Sequence, residues 1–325
     1  MKILVTGGAG YLGSVLSLLL LRAGHEVRVL DNLMYGGKSL LAMAAQEGFD
    51  FVHGDLLAGG TLRNAVRNAE SVVHLAAIVG DPACANHPEL AKAVNQQASF
   101  DLLAAAQATG VRRLVFASTC SNYGRMADTS VLATEDHELR PVSLYAETKV
   151  AVEREILGLP HEPVAATVLR FATLYGLSPR MRFDLTVNEF VMEMLTRRKL
   201  LVYGEQFWRP YVHVWDAARA IMAVLDAPHD IVAGQVFNVG ESEENYRKLD
   251  LVQIIQERVG PADVQFVRRD EDPRDYRVSF DRIRSRLGYA ITRRVPDGVG
   301  EIVDAIESGI LADFGDPMHS NVAPG

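Results

Sequence analysis

The chain has 325 residues, 48% hydrophobic and 23% charged, with 33 lysines and arginines against 41 aspartates and glutamates, a net charge of −8. This composition excludes disorder as the main state and leaves room for two domains, or one large domain with an added lobe. The acidic balance argues against a nucleic-acid partner, and two cysteines, Cys84 and Cys120, are too few for a disulfide framework or a structural zinc site.

Residues 3–5 predict a strand, followed by a glycine turn and a helix over 14–23. The apolar part of that helix, 15–21, is too short to span a bilayer. Gly7, Gly8, Gly10 and Gly13 interrupt any secretion-signal pattern, so the expectation is a soluble cytoplasmic protein with no membrane association. Strands follow at 27–30 and 51–52, then a polar helix around 62–68 and a strand at 72–75. A long helix over 89–108, a strand at 114–117, a helix over 145–157 and a strand at 164–171 continue the alternation. The rhythm implies right-handed βαβ units and a parallel sheet covered on both faces: an α/β, Rossmann-type doubly wound fold.

After about residue 172 the loops lengthen and arginines cluster at Arg180, Arg182, Arg197, Arg198 and Arg209. Residues 236–239 read as one more strand of the first sheet, and helices are expected at 249–259 and 299–306. The expected organisation is a dinucleotide-binding domain over 1–171, with about 212–240 returning to it. Segments 172–211 and 241–315 then form a smaller, discontinuous C-terminal substrate lobe, and 316–325 a loosely held tail.

Gly7, Gly10 and Gly13 lie between the first strand and the first helix at the spacing G-x-x-G-x-x-G. A tight turn, close approach to a pyrophosphate and close helix–sheet packing all require glycine there. Asp31 ends the second strand, where a carboxylate accepts both adenosine ribose hydroxyls and repels a 2′-phosphate, favouring NAD over NADP. Asp55 and Leu56 follow the third strand and can flank the adenine.

Tyr145 and Lys149 share one helix face at i and i+4. An ammonium beside a phenol is expected to lower the tyrosine pKa toward working pH, so that Tyr145 can remove or return a sugar-hydroxyl proton while hydride moves to or from nicotinamide. Lys149 can also hold the nicotinamide ribose. Thr119 sits at the carboxyl end of the strand at 114–117, facing the ligand crevice, where its hydroxyl can bridge substrate and Tyr145. Asp81 is a candidate for a sugar hydroxyl, and Arg180 and Arg182 for an anionic substituent. The nine histidines lack metal-ligand spacing; His74 and His213 read as packed structural residues, and no metal is expected.

These residues resemble the extended short-chain dehydrogenase/reductase family, in its NAD-dependent nucleotide-sugar epimerase/dehydratase branch. The resemblance runs to about Tyr289 and includes the glycine turn, Asp31, the 118–124 segment, Tyr145 with Lys149, Arg170 to Gly176, and Arg209 to Asp216. It implies that Tyr11, Leu12, Asp31, Asn32, Asp55, Leu56, Leu75, Ala76 and Ala77 line NAD, with Asn95 supporting the active-site helix beside the cofactor. It assigns catalysis to Thr119, Tyr145 and Lys149. Asn188 and Arg209 match positions that hold a nucleotide diphosphate, and Asp275 a carboxylate near the nucleotide ribose. Cys120 lies beside the catalytic threonine, as a sugar contact or as a small apolar filler. The family also implies a homodimer through the helices at 89–108 and 145–157.

The chain departs from the dehydratase pattern, in which Asp-Glu follows the catalytic threonine; here the pair is Cys120-Ser121. The usual asparagine of the 170–176 stretch is Thr173, and an expected arginine is Asp272, with Arg274 or Arg277 as substitutes. The preferred expectation is therefore an epimerase that oxidises a nucleotide-diphosphate sugar transiently to a keto-sugar, at C4, and re-reduces it on the other face. The alternatives are a keto-sugar reductase or other nucleotide-sugar oxidoreductase and, behind these, a dehydratase, a decarboxylase or a non-catalytic NAD-binding protein.

Overall fold

Seven parallel strands form the central sheet of the computed structural model, which describes residues 1–160, 162–267 and 274–321. Its strands are β1 (Lys2–Thr6), β2 (Glu26–Asp31), β3 (Phe49–His53), β4 (Ser71–His74), β5 (Arg113–Thr119) and β6 (Ala165–Phe171), with β10 (Val236–Val239) on the outer edge. Their spatial order is β10-β6-β5-β4-β1-β2-β3, so the chain reverses direction of travel between β1 and β4. A crevice opens at the carboxyl ends of strands at such a reversal.

Strand alternation builds a core on each face. Ile3 and Val5 enter one core, with the helices Tyr11–Arg22 and Val214–Asp226; Leu4 enters the other, with Gly59–Val66 and Ala98–Ala108. Hydrophobic residues point both ways because helices cover both faces, as the sequence pattern implied.

The helix expected over 89–108 is not uniform. Pro88–Lys92 and Ala98–Ala108 are joined by a π-helical turn, Ala93–Gln97, containing Asn95. The apolar periodicity leaves a single widened turn undetected. Such turns commonly re-aim one side chain at a functional site.

Outside the main sheet lie a three-stranded sheet of β7 (Thr173–Tyr175), β9 (Trp208–His213) and β11 (Asn245–Arg247), and a parallel pair of β8 (Lys199–Tyr203) and β12 (Asp263–Val267), in the part of the chain expected to form the lobe. Asp216, on the helix after β9, accepts from the backbone N–H groups of Thr292 and Arg293, each at 2.9 Å. It is fully buried. This fastens the C-terminal part of the lobe to the helix that returns to the main sheet.

The tail corrects an expectation. As far as Asn321 it is docked: Phe183 N donates to His319 O at 2.8 Å, and the Phe183 ring meets Phe314 and His319 edge-on. Aromatic packing from a distant loop supplies the order that a Pro/Gly/polar tail lacks by itself. Among the described residues, no helix is long and apolar enough to cross a membrane.

Candidate active site

A cleft of about 490 Å³ lies along the strand ends and is lined by residues from Gly7 to Asn321. At one end is the glycine turn. Gly7 has φ +73°, and a Cβ on Gly13 would stand 2.1 Å from Gly7 O. Gly10 caps the first helix without any side-chain hydrogen bond, so the first-turn amides are left for a ligand. An uncapped helix start against a glycine-tight turn suits a dinucleotide diphosphate.

Asp31 is set for the ribose. Its carboxylate accepts from Ala9 N at 3.0 Å and Leu33 N at 2.8 Å and lines the cleft, while burial pushes its pKa upward. Asn32 donates to Asp55 at 2.9 Å, which fixes the next corner. Leu56, Leu75, Ala76 and Ala77 continue the lining. The residues present therefore fit NAD.

Asn95, placed beside the cofactor by the resemblance, is instead buried behind the wall. It accepts from Ile78 N at 2.7 Å and donates to Ile78 O at 2.9 Å, pinning the segment that follows Ala77. The π turn is what carries its amide there. A role for Asn95 in shaping the site agrees with this placement; direct contact with cofactor does not.

Tyr145 and Lys149 project from the helix Leu144–Gly158 into the cleft. Ser143 starts that helix by accepting from Ala146 N at 3.3 Å. Lys149 Nζ donates to Ala117 O at 2.8 Å and stands 5.8 Å from the Tyr145 ring centroid. Burial pulls the ammonium down to about 8. Thr119, at the end of β5, accepts from Ser121 N at 3.1 Å, so its hydroxyl proton can be donated into the cleft.

The expected lowering of the phenol's pKa is not found. Burial pushes Tyr145 well above the usual tyrosine range, Cys84 and Asp81 add to the rise, and Arg182 is the charge that opposes it. Desolvation dominates here, and residue spacing alone brings only the ammonium one turn away into view.

Four residues expected at the substrate are not among the cleft residues. Cys120 is fully buried; its thiol donates to Arg170 O at 3.2 Å, and burial raises its pKa, so it faces away from the cleft. Asn188 is fully buried too, bonded to Gly176 N, Arg182 O and the Tyr11 hydroxyl. It ties the lobe to the glycine turn instead of reaching into the cleft. Arg209 stacks on the Tyr276 ring at 5.3 Å and lies behind the cleft wall. Asp275 accepts from Trp208 N at 2.9 Å and borders a neighbouring cavity with Arg125 and Arg140. In each case the side chain has a partner within the protein.

Other residues occupy the substrate end. Arg182 lines the cleft and makes a two-pronged pair with Asp184, at 3.0 and 2.6 Å. Asp81 pairs with Arg274 at 2.9 Å and accepts from Ser143 Oγ at 2.8 Å. Ser121 meets the Tyr276 hydroxyl at 3.3 Å. Tyr276 was missed in the sequence, where its one signal is its position next to Asp275. Arg277 is not among the cleft residues, and Asp272 lies outside the described residues.

Residues 3–240 match the family model described as the NAD dependent epimerase/dehydratase family. The chain belongs to that family. It is 32% identical over 312 residues to a UDP-glucose 4-epimerase of Corynebacterium glutamicum, covering 89% of this chain and 90% of the relative. It is likewise 32% identical over 322 residues to a dTDP-glucose 4,6-dehydratase of an Actinoplanes species, covering 93% and 97%. Among solved structures, UDP-glucuronic acid 4-epimerase from Bacillus cereus, in complex with UDP-glucuronic acid and NAD, superposes with a TM-score of 0.84 at 25% identity. That match covers 95% of this chain and 99% of the other. Membership of this NAD-dependent family gives NAD as the cofactor of the cleft.

Proposed function

We propose that this member of the family is a nucleotide-sugar epimerase. The observation that carries the reading is the wall formed by Thr119, Tyr145 and Lys149 with no carboxyl group after the threonine. Cys120 is sealed away and Ser121 is a hydroxyl. Elimination of water from a sugar needs an acid for the departing hydroxyl, and among the described residues the cleft's carboxylates are Asp31, Asp55, Asp81 and Asp184. Asp81 and Asp184 are held in ion pairs with Arg274 and Arg182.

Bound NAD supplies the hydride acceptor and donor. Thr119 donates to the reacting sugar oxygen and orients it. Tyr145 takes the proton of that hydroxyl and later returns it. Lys149, charged below about pH 8, holds the ribose side of the site and stabilises the Tyr145 phenolate, the form that accepts this proton and is regenerated when the proton is returned. The keto-sugar turns between the two half-reactions and is re-reduced on its other face, with C4 as the reacting carbon. The relatives named above act on UDP- and dTDP-sugars, so the substrate class is a nucleoside diphosphate sugar. The same reading includes a homodimer through the outer faces of the helices around Leu90 and Leu157, which are partly exposed.

The test is product analysis with UDP-glucose, UDP-glucuronic acid and dTDP-glucose, run alongside Tyr145→Phe. A C4 epimer without net NADH consumption, abolished in the variant while NAD binding persists, supports the reading. A 4-keto-6-deoxy product, or stoichiometric use of reduced cofactor, overturns it.

A further inference from the structure

Arg180 stands where the lobe meets the glycine turn. It is 6% exposed and lines the cleft. Its guanidinium lies 4.4 Å from the centroid of the Tyr35 ring, in the loop after β2, and Nη2 donates to Ser320 O at 3.2 Å. Its backbone N–H donates to Ser178 Oγ at 3.3 Å, and that hydroxyl donates to Tyr11 O at 2.7 Å, in the first turn of the first helix. Tyr35 and Ser320 thus fix the guanidinium, while Ser178 and Tyr11 fix the backbone that carries it beside the helix start.

The charge is nevertheless incompletely satisfied. Arg180 Nε is buried and meets no acceptor among the described residues. The carboxylate of Asp184 is engaged by Arg182 and by Asn321 N, and that of Asp31 by Ala9 N and Leu33 N. A buried guanidinium with an idle N–H is costly unless an anion meets it, and its planar fork matches phosphate oxygens. Burial, with the like charge of Arg182, pulls Arg180 down to about 10; an arriving anion reverses that pressure.

We propose that Arg180, stacked on Tyr35 and roofed by the docked C-terminal segment, binds the diphosphate of the dinucleotide from the side opposite the glycine-turn amides. The diphosphate is then held between backbone N–H groups on one side and a guanidinium on the other. The segment ending at Asn321 acts as a strap: Met318 lies beside Gly36, and Asn321 lines the cleft with its own Oδ1 buried and unpartnered among the described residues. This inference rests on NAD occupying the cleft and not on epimerase chemistry.

Calorimetric titration of the nucleotide-free protein with NAD, NADP, ADP-ribose and adenosine tests it, using wild type, Arg180→Gln and Arg180→Lys. The glutamine variant should bind NAD and ADP-ribose about tenfold or more weakly and keep its adenosine affinity, with lysine intermediate. Its melting temperature without nucleotide should equal or exceed that of wild type, which separates lost binding from lost folding. Unchanged ADP-ribose affinity, or equal loss of adenosine affinity, overturns the proposal. So does a wild-type preference for NADP that the variant abolishes, because it moves the guanidinium to a 2′-phosphate. Failure of the epimerase reading shows separately, as absent sugar products with these affinities intact.

Discussion

The Glu153 carboxylate accepts Arg170 Nη2 at 2.7 Å, with the two side chains 1% and 4% exposed. The same carboxylate takes the hydroxyl of Ser118, the residue before Thr119, and the amide of Asn122 at 2.7 Å. Arg170 in turn donates to the Tyr123 hydroxyl at 3.0 Å and to Glu135 O at 3.1 Å. One buried pair therefore sets the backbone on both sides of the hydroxyl-bearing turn.

Breaking that pair from one side leaves a charge without a partner. Glu153→Ala should lower stability by about 3–5 kcal/mol, whereas Glu153→Leu combined with Arg170→Met should recover much of the loss. Urea denaturation of the two proteins checks this. Equal destabilisation by the single and double changes contradicts the charge argument and leaves packing as the cause.

Lys149 is held with a pKa near 8 against about 10.5 in an unfolded chain. Between those values the unfolded chain binds more protons, so this group makes stability rise with pH across roughly 8 to 10.5; below 8 the folded protein carries the full cost of the buried charge. Lys149→Met should therefore be more stable than wild type at pH 7, with the advantage shrinking above pH 8, and catalytically dead. Wild-type turnover should fall as pH rises through about 8. Denaturation midpoints at pH 7, 8.5 and 10 give the first result and initial rates the second. A destabilised methionine variant refutes the account of the charge.

The sheet and its helices were legible because burial on two faces leaves a strong apolar pattern, and the glycine turn, Asp31, Tyr145 and Lys149 because their spacing matches one local geometry. What was illegible depends on distant partners. The direction of the Tyr145 shift follows from its burial, packed beside Cys84, a neighbour about sixty residues earlier in sequence. The fate of Asn188 follows from Tyr11, 177 residues away in sequence. The docking of the tail follows from Phe183, and the aim of Asn95 from one widened helical turn that no periodicity announces.

Cys120 and Cys84 are both fully buried, and burial raises both thiols, Cys84 to about 11. A thiol-specific reagent should leave the native protein unmodified and titrate both cysteines once urea is added. Cys120→Ala should cost roughly 1–2 kcal/mol and leave turnover nearly unchanged, since the thiol meets Arg170 O and not the cleft. A large fall in turnover at unchanged stability places the sulfur in the chemistry after all.

His74 ties the first strand to the helix Ala98–Ala108: one ring nitrogen meets the Thr6 hydroxyl at 2.7 Å and the other the Ser99 hydroxyl at 2.9 Å. Burial, then the charge of Lys149, pulls its pKa from about 6.5 to about 3, so the ring stays neutral in the folded protein. The unfolded chain gains a proton near pH 6.5 that the native state refuses down to about 3. Stability is thus fully present above pH 6.5 and should fall as pH drops through that window, by up to about 1.4 kcal/mol per pH unit from this group alone. Glutamine offers one donor and one acceptor of similar reach without titrating. In His74→Gln the denaturation midpoint should vary less with pH between 6.5 and 4.5 than in wild type. Parallel pH dependences for the two proteins rule out a neutral buried imidazole as the source of acid sensitivity.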